Sequence, residues 1–220
     1  MKQDPLVLCL TNSVAANFTA NCLLAIGAKP AMVEEPSEAE ELAAVADALL
    51  VNLGTVTERQ AEAMRRAIKV ANEKGVPWVL DPVGVQMLSF RRQLALEFVG
   101  LTPAVIRGNT NEIRVLAGSA PNLAQGMTIL ETGVIDRVVD DLGAVEVTGG
   151  APMLQVVTAT GCAQGGICAA LLGRGQSPRE ASLSASRMMK RAGEMSWERA
   201  KTPGNFKVAL VDALWELSHD

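Results

Sequence analysis

ALLVNLGTVTERQ, Ala48 to Gln60, changes its periodicity part-way, and that change decides the fold class. Ala48–Leu53 is apolar except for Asn52 and too brief for a helix, so it reads as a strand buried on both faces. Asn52-Leu53-Gly54-Thr55 then breaks the run, and Thr57 with Gln60 three residues later is a capping box that starts a helix. A doubly buried strand leading into a helix is the repeating unit of a parallel α/β sheet.

The same alternation extends in both directions. Leu6–Leu10, Ala31–Val33, Trp78–Leu80, Ala104–Ile106 and Thr128–Leu130 read as further short strands. Helix starts are marked by Ser37 with Glu40, Asn109 with Glu112, and Ser177-Pro178 with Glu180. Arg137–Val139 and Ala144–Val147 flank the turn Asp140-Asp141-Leu142-Gly143 and predict a hairpin. Three helices without intervening strands follow, at approximately 161–173, 178–200 and 206–218. The expectation is one α/β domain over residues 1–220, with a mostly parallel central sheet, right-handed crossovers and flanking helices.

Composition excludes several classes. A formal net charge of −4 without a Lys/Arg cluster argues against a nucleic-acid partner. No uncharged apolar run reaches the ~20 residues that span a bilayer, and MKQDPLVLCL is too short for a signal peptide, so a soluble cytoplasmic protein with no membrane partner is expected. Cys9, Cys22, Cys162 and Cys168 lack zinc-site spacing and do not form a disulfide framework. Three of them read as small core residues.

In open parallel sheets, ligands bind beyond the carboxyl ends of the strands. Those ends carry Thr11-Asn12, Asn52-Leu53-Gly54-Thr55, Asp81-Pro82, Arg107-Gly108-Asn109 with Glu112 a turn later, Thr132-Gly133, and finally Thr160-Gly161-Cys162. Asp81 and Glu112 are hard oxygen ligands of the kind that hold Mg²⁺ through waters and phosphate oxygens. Arg107 offers a planar fork to phosphate, and Gly161-Cys162 opens a helix whose free N–H groups attract an anion. These are parts of a phosphoryl-transfer site. There is no GxxxxGK[ST] stretch, so the chain is not a P-loop protein.

Taken in order, Thr11-Asn12, Asn17-Phe18-Thr19-Ala20-Asn21, Gly27-Ala28-Lys29-Pro30-Ala31-Met32, Asn52-Leu53-Gly54-Thr55, Asp81-Pro82-Val83, Arg107-Gly108-Asn109, Thr160-Gly161-Cys162-Ala163, Pro203-Gly204-Asn205-Phe206 and Leu210-Val211-Asp212-Ala213-Leu214 resemble the hydroxyethylthiazole kinase family over nearly the whole chain. The resemblance implies a ribokinase-like fold, a homotrimer with active sites between subunits, and Mg²⁺-dependent transfer of the γ-phosphoryl of ATP to 4-methyl-5-(2-hydroxyethyl)thiazole in thiamine salvage. It also implies site roles. Arg107 and Thr132 contact the nucleotide, Asp81 and Glu112 serve magnesium, and Met32, Ala159, Gly161 and Asn12 border the substrate. Cys162 takes the place of the aspartate base of related sugar kinases, and a helix N-terminus is expected to lower its thiol pKa. Two alternatives stay open: a member that binds a thiazole or related ligand without turnover, and a kinase of another small hydroxyalkyl heterocycle.

The chain departs from the family pattern in four places. Ala159 replaces a glycine, so a φ > 0 backbone is disfavoured there. Cys9-Leu10 replaces a family histidine, and the remaining His219 lies too near the terminus for acid–base chemistry. Glu131 replaces an apolar residue, and a carboxylate beside ATP phosphates would repel them unless it points away or meets a metal. Only Ser119–Met127 joins the helix after Glu112 to the next strand, where the family carries an additional helix. A neighbouring subunit, a repacked C-terminal helix or an altered sheet must compensate, and altered nucleotide use is expected.

Overall fold

The computed structural model describes residues 4–119 and 126–219. Its strands are β1 (Leu6–Leu10), β2 (Lys29–Met32), β3 (Ala48–Asn52), β4 (Trp78–Asp81), β5 (Val105–Asn109), β6 (Thr128–Thr132), β7 (Asp136–Asp140) and β8 (Gly143–Val147). Its helices are α1 (Ala16–Ala25), α2 (Pro36–Ala43), α3 (Glu58–Lys74), α4 (Ser89–Val99), α5 (Thr110–Ser119), α6 (Met153–Val156), α7 (Thr160–Gly173), α8 (Pro178–Arg199) and α9 (Pro203–His219). The strands form one sheet in the order β2-β1-β3-β4-β5-β6-β7-β8. Pairings from β2 through β6 are parallel, and β7 and β8 add an antiparallel hairpin at one edge.

Side chains two residues apart share a face of a strand, which divides the interior into two layers. Val7, Cys9, Leu50, Val79 and Leu130 pack under α1, α7, α8 and α9, whereas Leu8, Leu10, Leu49, Leu80 and Ile129 pack under α2 to α5. A helix that is apolar all round is buried all round. That is the case for α7, whose residues Cys162–Leu172 are all buried. Two glycines allow its fit: a Cβ on Gly165 would lie 3.2 Å from Leu50 and one on Gly166 3.0 Å from Thr19.

Three of the sequence-marked helix starts form as reciprocal caps, at Thr57/Gln60, Ser177/Glu180 and Asn109/Glu112. The Ser37/Glu40 start is a correction. The helix α2 begins two residues earlier, at Pro36 behind Glu35, because proline's fixed φ and missing N–H suit the first helical position.

Of the connection Ser119–Met127, positions 120–125 lie outside the described residues. Its consequence is visible on the sheet. On the face that also carries Ile129, β6, β7 and β8 present Glu131, Arg137 and Glu146, which are cross-strand partners in register. Arg137 lies 4.0 Å from Glu131 and 3.8 Å from Glu146. Opposite charges directly across strands are favourable by about 0.2–1 kcal/mol, and their polarity lets this face meet water. The polar face is one form of compensation, within the sheet itself. Glu131 also accepts a hydrogen bond from the Thr110 hydroxyl at 2.7 Å. For Glu131 the structure shows the case in which the carboxylate points away: it is engaged on the α5 side of the sheet, while Thr132, one residue later, turns to the other face.

Candidate active site

The carboxyl ends of five adjacent strands carry one connected line of buried polar groups. Asn12 Nδ2, beyond β1, donates to Asn52 Oδ1 at 2.8 Å, and Asn52 Nδ2, at the end of β3, donates to Asp81 Oδ2. Arg107 Nη1, on β5, donates to Asp81 Oδ1 at 3.4 Å, and its Nη2 donates to Thr132 Oγ1, at the end of β6, at 2.8 Å. A buried amide or guanidinium must be satisfied, so each of these residues fixes the next. Arg107 Nε is a buried donor without a protein partner. Gly161 makes room for this guanidinium, because a Cβ there would sit 2.6 Å from Nη1.

Glu112 sits in the first turn of α5, where one oxygen accepts from the Asn109 amide at 2.9 Å and the other from the Gly84 amide at 3.0 Å. It thus ties the loop after β4 to the start of α5. Among the described residues no three acidic, histidine or cysteine side chains gather into a metal cage. A pair of neighbouring carboxylates is nevertheless the protein contribution that suits Mg²⁺ bound chiefly by water and phosphate.

Two cavities flank the first turn of α7. The larger, about 370 Å³, is lined by Arg107, Thr132, Gly161, Gln164 and Lys190 among others. The smaller, about 210 Å³, is lined by Asn12, Thr55, Arg91, Ala159 and Cys162 among others. Between them the amides of Thr160, Gly161 and Cys162 precede the first intrahelical bond, from Ala163 N to Ala159 O at 2.9 Å. No side chain caps them. The smaller cavity also holds backbone strain, with Thr55 at φ 46° and Ala159 at φ 72°. Ala159 thus adopts the left-handed conformation that its glycine counterpart would take freely, at a cost of about 1 kcal/mol.

Electrostatics separate the roles of Asp81 and Cys162. Burial pushes the Asp81 carboxyl up to about 6, opposed by Arg107 and Asn52 and reinforced by Glu112. Burial, followed by the charge of Asp81, pushes the Cys162 thiol up to about 12. This corrects the expectation of a lowered thiol pKa. A helix N-terminus supplies about half a charge, which is outweighed by desolvation and a whole carboxylate nearby. The thiol is neutral at pH 7 and accepts hydrogen bonds from Asn52 Nδ2 at 3.2 Å and Asn12 Nδ2 at 3.5 Å.

The family model for hydroxyethylthiazole kinases matches residues 1–128 and 122–220. The chain belongs to the hydroxyethylthiazole kinase family. A hydroxyethylthiazole kinase of Escherichia coli (strain 55989 / EAEC) is 41% identical over 240 aligned residues, covering 100% of this chain and 92% of the relative. One from Shigella boydii serotype 18 is also 41% identical over the same span. The solved hydroxyethylthiazole kinase of Pyrococcus horikoshii OT3 superposes with a TM-score of 0.91 at 37% identity, covering 96% of this chain and 88% of that one. A ribokinase-like protein of Enterococcus faecalis V583, at TM-score 0.72 and 13% identity, shares the fold over 98% of this chain and 88% of its own. As a hydroxyethylthiazole kinase family member the chain is short. An alignment of 240 positions over 220 residues leaves 20 without a counterpart here, and the two family-model segments meet at residues 122–128, beside the shortened connection.

Against that family, Asn12, Asp81, Arg107, Glu112, Thr132, Ala159, Gly161 and Cys162 all come to one edge of the sheet. Of the residues expected to border the substrate, Asn12 and Ala159 line the smaller cavity, Gly161 lines the larger one, and Met32 lines neither. It stands on edge strand β2, 37% exposed. The sequence reading also passed over Asn52 as a site residue, although it binds both Asp81 and Cys162. The available signal was an asparagine closing a strand whose other members are all apolar and buried, since such a residue needs polar partners.

Proposed function

We propose that this protein transfers the γ-phosphoryl group of ATP to the side-chain hydroxyl of 4-methyl-5-(2-hydroxyethyl)thiazole, in the cytoplasm, as a thiamine salvage kinase. The observation that carries this reading is the pair of cavities meeting at the uncapped first turn of α7, with Arg107 and Thr132 on one side and Cys162 and Asn12 on the other. ATP occupies the larger cavity and the alcohol the smaller. The amides of Gly161 and Cys162 face the phosphoryl group in flight, where backbone N–H groups and a helix dipole stabilise developing negative charge. Arg107 adds its charge from beneath.

Mg²⁺, held by Asp81 and Glu112 through waters, supplies charge neutralisation to the phosphates when bound. Cys162, a neutral thiol, orients the hydroxyl rather than deprotonating it. A loose transition state, in which the bond to ADP is largely broken before the new O–P bond forms, needs little help from a base, so the hydroxyl keeps its proton past that point and then passes it to an oxygen of the transferred phosphoryl group. Met32 is 37% exposed and does not line the smaller cavity of its own chain, in keeping with a homotrimer in which Met32 closes the thiazole pocket of a neighbouring copy. Among the described residues no helix is long and apolar enough to cross a membrane.

The test is ADP release from ATP and Mg²⁺ with and without the thiazole alcohol, with a Cys162→Ala control. Alcohol-dependent release at least tenfold above that of the variant is expected. Alcohol binding without release would favour a non-catalytic binder, and release only with other hydroxyalkyl heterocycles would change the acceptor.

The pKa of Asp81 adds a two-sided prediction. At limiting Mg²⁺, activity should fall as pH drops through about 6, where the metal-free Asp81 carboxyl takes its proton, and saturating Mg²⁺ should move the fall to lower pH. The stability of the ligand-free protein should move the other way. The folded state binds this proton more tightly than the unfolded state at 3.8, so stability rises as pH falls from about 6 toward 4. Glu97, Glu180 and Glu216, whose pKa values are lowered from 4.5 chiefly by hydrogen bonds from Arg65, Ser177 and Arg199, begin to lose their stabilising effect only as pH falls through about 4.5, at the acid end of that window. Melting temperature and rate measured from pH 7.5 to 4.5 read both trends. Parallel decline of the two would contradict this assignment.

A further inference from the structure

Ser186, Lys190 and Glu194 recur every four residues along α8 and share one face of the helix. Lys190 is 5% exposed, which is rare for a lysine. Its ammonium lies 3.3 Å from Asp136 Oδ1 and donates to three backbone carbonyls, of Val134 at 2.9 Å, Gly133 at 3.3 Å and Gly149 at 3.4 Å. Asp136 is held in turn by the Ser186 hydroxyl at 2.7 Å, by Gln164 Nε2 at 3.0 Å and by the Gly133 amide at 3.0 Å. One turn further on, Glu194 accepts from the Gly150 amide at 3.0 Å. The helix therefore grips two separate loops, the β6–β7 connection and the segment around Gly149-Gly150.

An ammonium has three donors, and four protein oxygens compete for them here, so none is left for a ligand. A buried ion pair is often no more stabilising than an apolar pair of the same volume, so global stability is a weak reason for this one. What an apolar side chain cannot do is draw carbonyls of two loops to a common point. Gly149 and Gly150, at φ 101° and 92°, are the residues that turn toward α8, and a Cβ on Gly149 would lie 2.5 Å from Glu194. Gly133 and Lys190 line the 370 Å³ cavity and, together with Gly149 and Gly150, an adjoining cavity of about 330 Å³.

We propose that Lys190, fixed by Asp136, is a positioning residue for the nucleotide: its internal cation sets the gap between the two loops, so that the nucleotide cleft is formed before ATP arrives. This rests on the assignment of the larger cavity to ATP. Pre-formation lowers the ordering cost of binding, so loss of the cation should appear in nucleotide affinity and not in the acceptor site.

The experiment is calorimetric titration of the wild type and Lys190→Met with a non-hydrolysable ATP analogue, combined with KM for the alcohol at saturating ATP. At least a tenfold weaker Kd for the analogue is expected, with KM for the alcohol within twofold. In Lys190→Ala, added methylammonium should restore most of the lost affinity where equal sodium chloride does not. If Asp136, left unpaired, prevents Lys190→Met from folding, the Lys190→Met/Asp136→Asn protein removes both charges and carries the same expectation. Analogue affinity within twofold of wild type in the folded variant would overturn the role of Lys190 alone. A wild type that does not bind the analogue would overturn the cavity assignment, and this proposal with it.

Discussion

Replacing Asp81 with asparagine should lower kcat by about a thousandfold, the scale on which one pre-organised electrostatic group at a reacting centre counts. The substitution changes shape very little. It changes the direction of a hydrogen-bonded line in which every donor points at Asp81: Asn12 to Asn52, Asn52 to Asp81 Oδ2, and Arg107 to Asp81 Oδ1. A carboxylate accepts at both oxygens, whereas an asparagine amide presents one acceptor and one NH₂ group. If its oxygen takes the Arg107 bond, its NH₂ group meets the Asn52 NH₂ group. Turning Asn52 over then takes its acceptor away from the Asn12 amide and from Gly54 N, bound at 3.0 Å. If its oxygen faces Asn52 instead, a buried guanidinium faces a donor. No orientation satisfies the whole line, and a buried donor left unpaired costs about 1–3 kcal/mol. On the proposed role of Asp81 and Glu112, the pair also loses one of its two charges, so the residual rate should no longer saturate with Mg²⁺. Rates measured against both ATP and Mg²⁺ decide the matter. A kcat within tenfold of wild type would remove Asp81 from the site.

That line could not be read in full from the sequence, although its ends could. The strands were legible because Leu6–Leu10 and Ala48–Asn52 are short and apolar on both faces, and the sheet edge because each strand stops at a polar residue. The starts of α1 and α4 were not legible, and neither was the short α6, which begins behind Pro152 without a side-chain cap. Leu88 and Ala15, the residues capping α4 and α1, supply no side-chain bond, so those helices are set by packing against the sheet instead of by a local signal. The pKa of Cys162 was misjudged for a related reason. Its place at a helix start is local and visible, while the burial and the neighbouring Asp81 that push it to about 12 exist only in the fold. Asp136 and Lys190, 54 residues apart in the sequence, became partners only when α8 was laid against the β6–β7 turn. Glu131 shows the converse. Read alone it threatened the nucleotide, but in register with Arg137 it belongs to a sheet face that meets water.

The second large effect is expected from Gly161→Ala, a change of one methyl group. Gly161 is inside α7, where alanine has the higher helix propensity by about 1 kcal/mol, so the backbone itself favours the substitution. Space does not. The new Cβ would sit 2.6 Å from Arg107 Nη1 and 2.8 Å from Cζ, well inside van der Waals contact. The helix has little room to retreat, because Cys162–Leu172 are all buried and Gly166 already abuts Thr19 of α1. The guanidinium must move instead, releasing Thr132 and Asp81. The expected result is about a hundredfold loss in kcat/KM for ATP, with a smaller effect on KM for the alcohol, whose cavity does not include Gly161. A double-variant comparison separates this cause from a general disturbance of α7. If the methyl acts only by displacing Arg107, then Gly161→Ala/Arg107→Ala should be no slower than Arg107→Ala alone, because the group being displaced is already gone. Losses that multiply in the double variant would show that Gly161 matters through the helix amides that face the phosphoryl group, and a single variant within threefold of wild type would show that Arg107 yields without consequence.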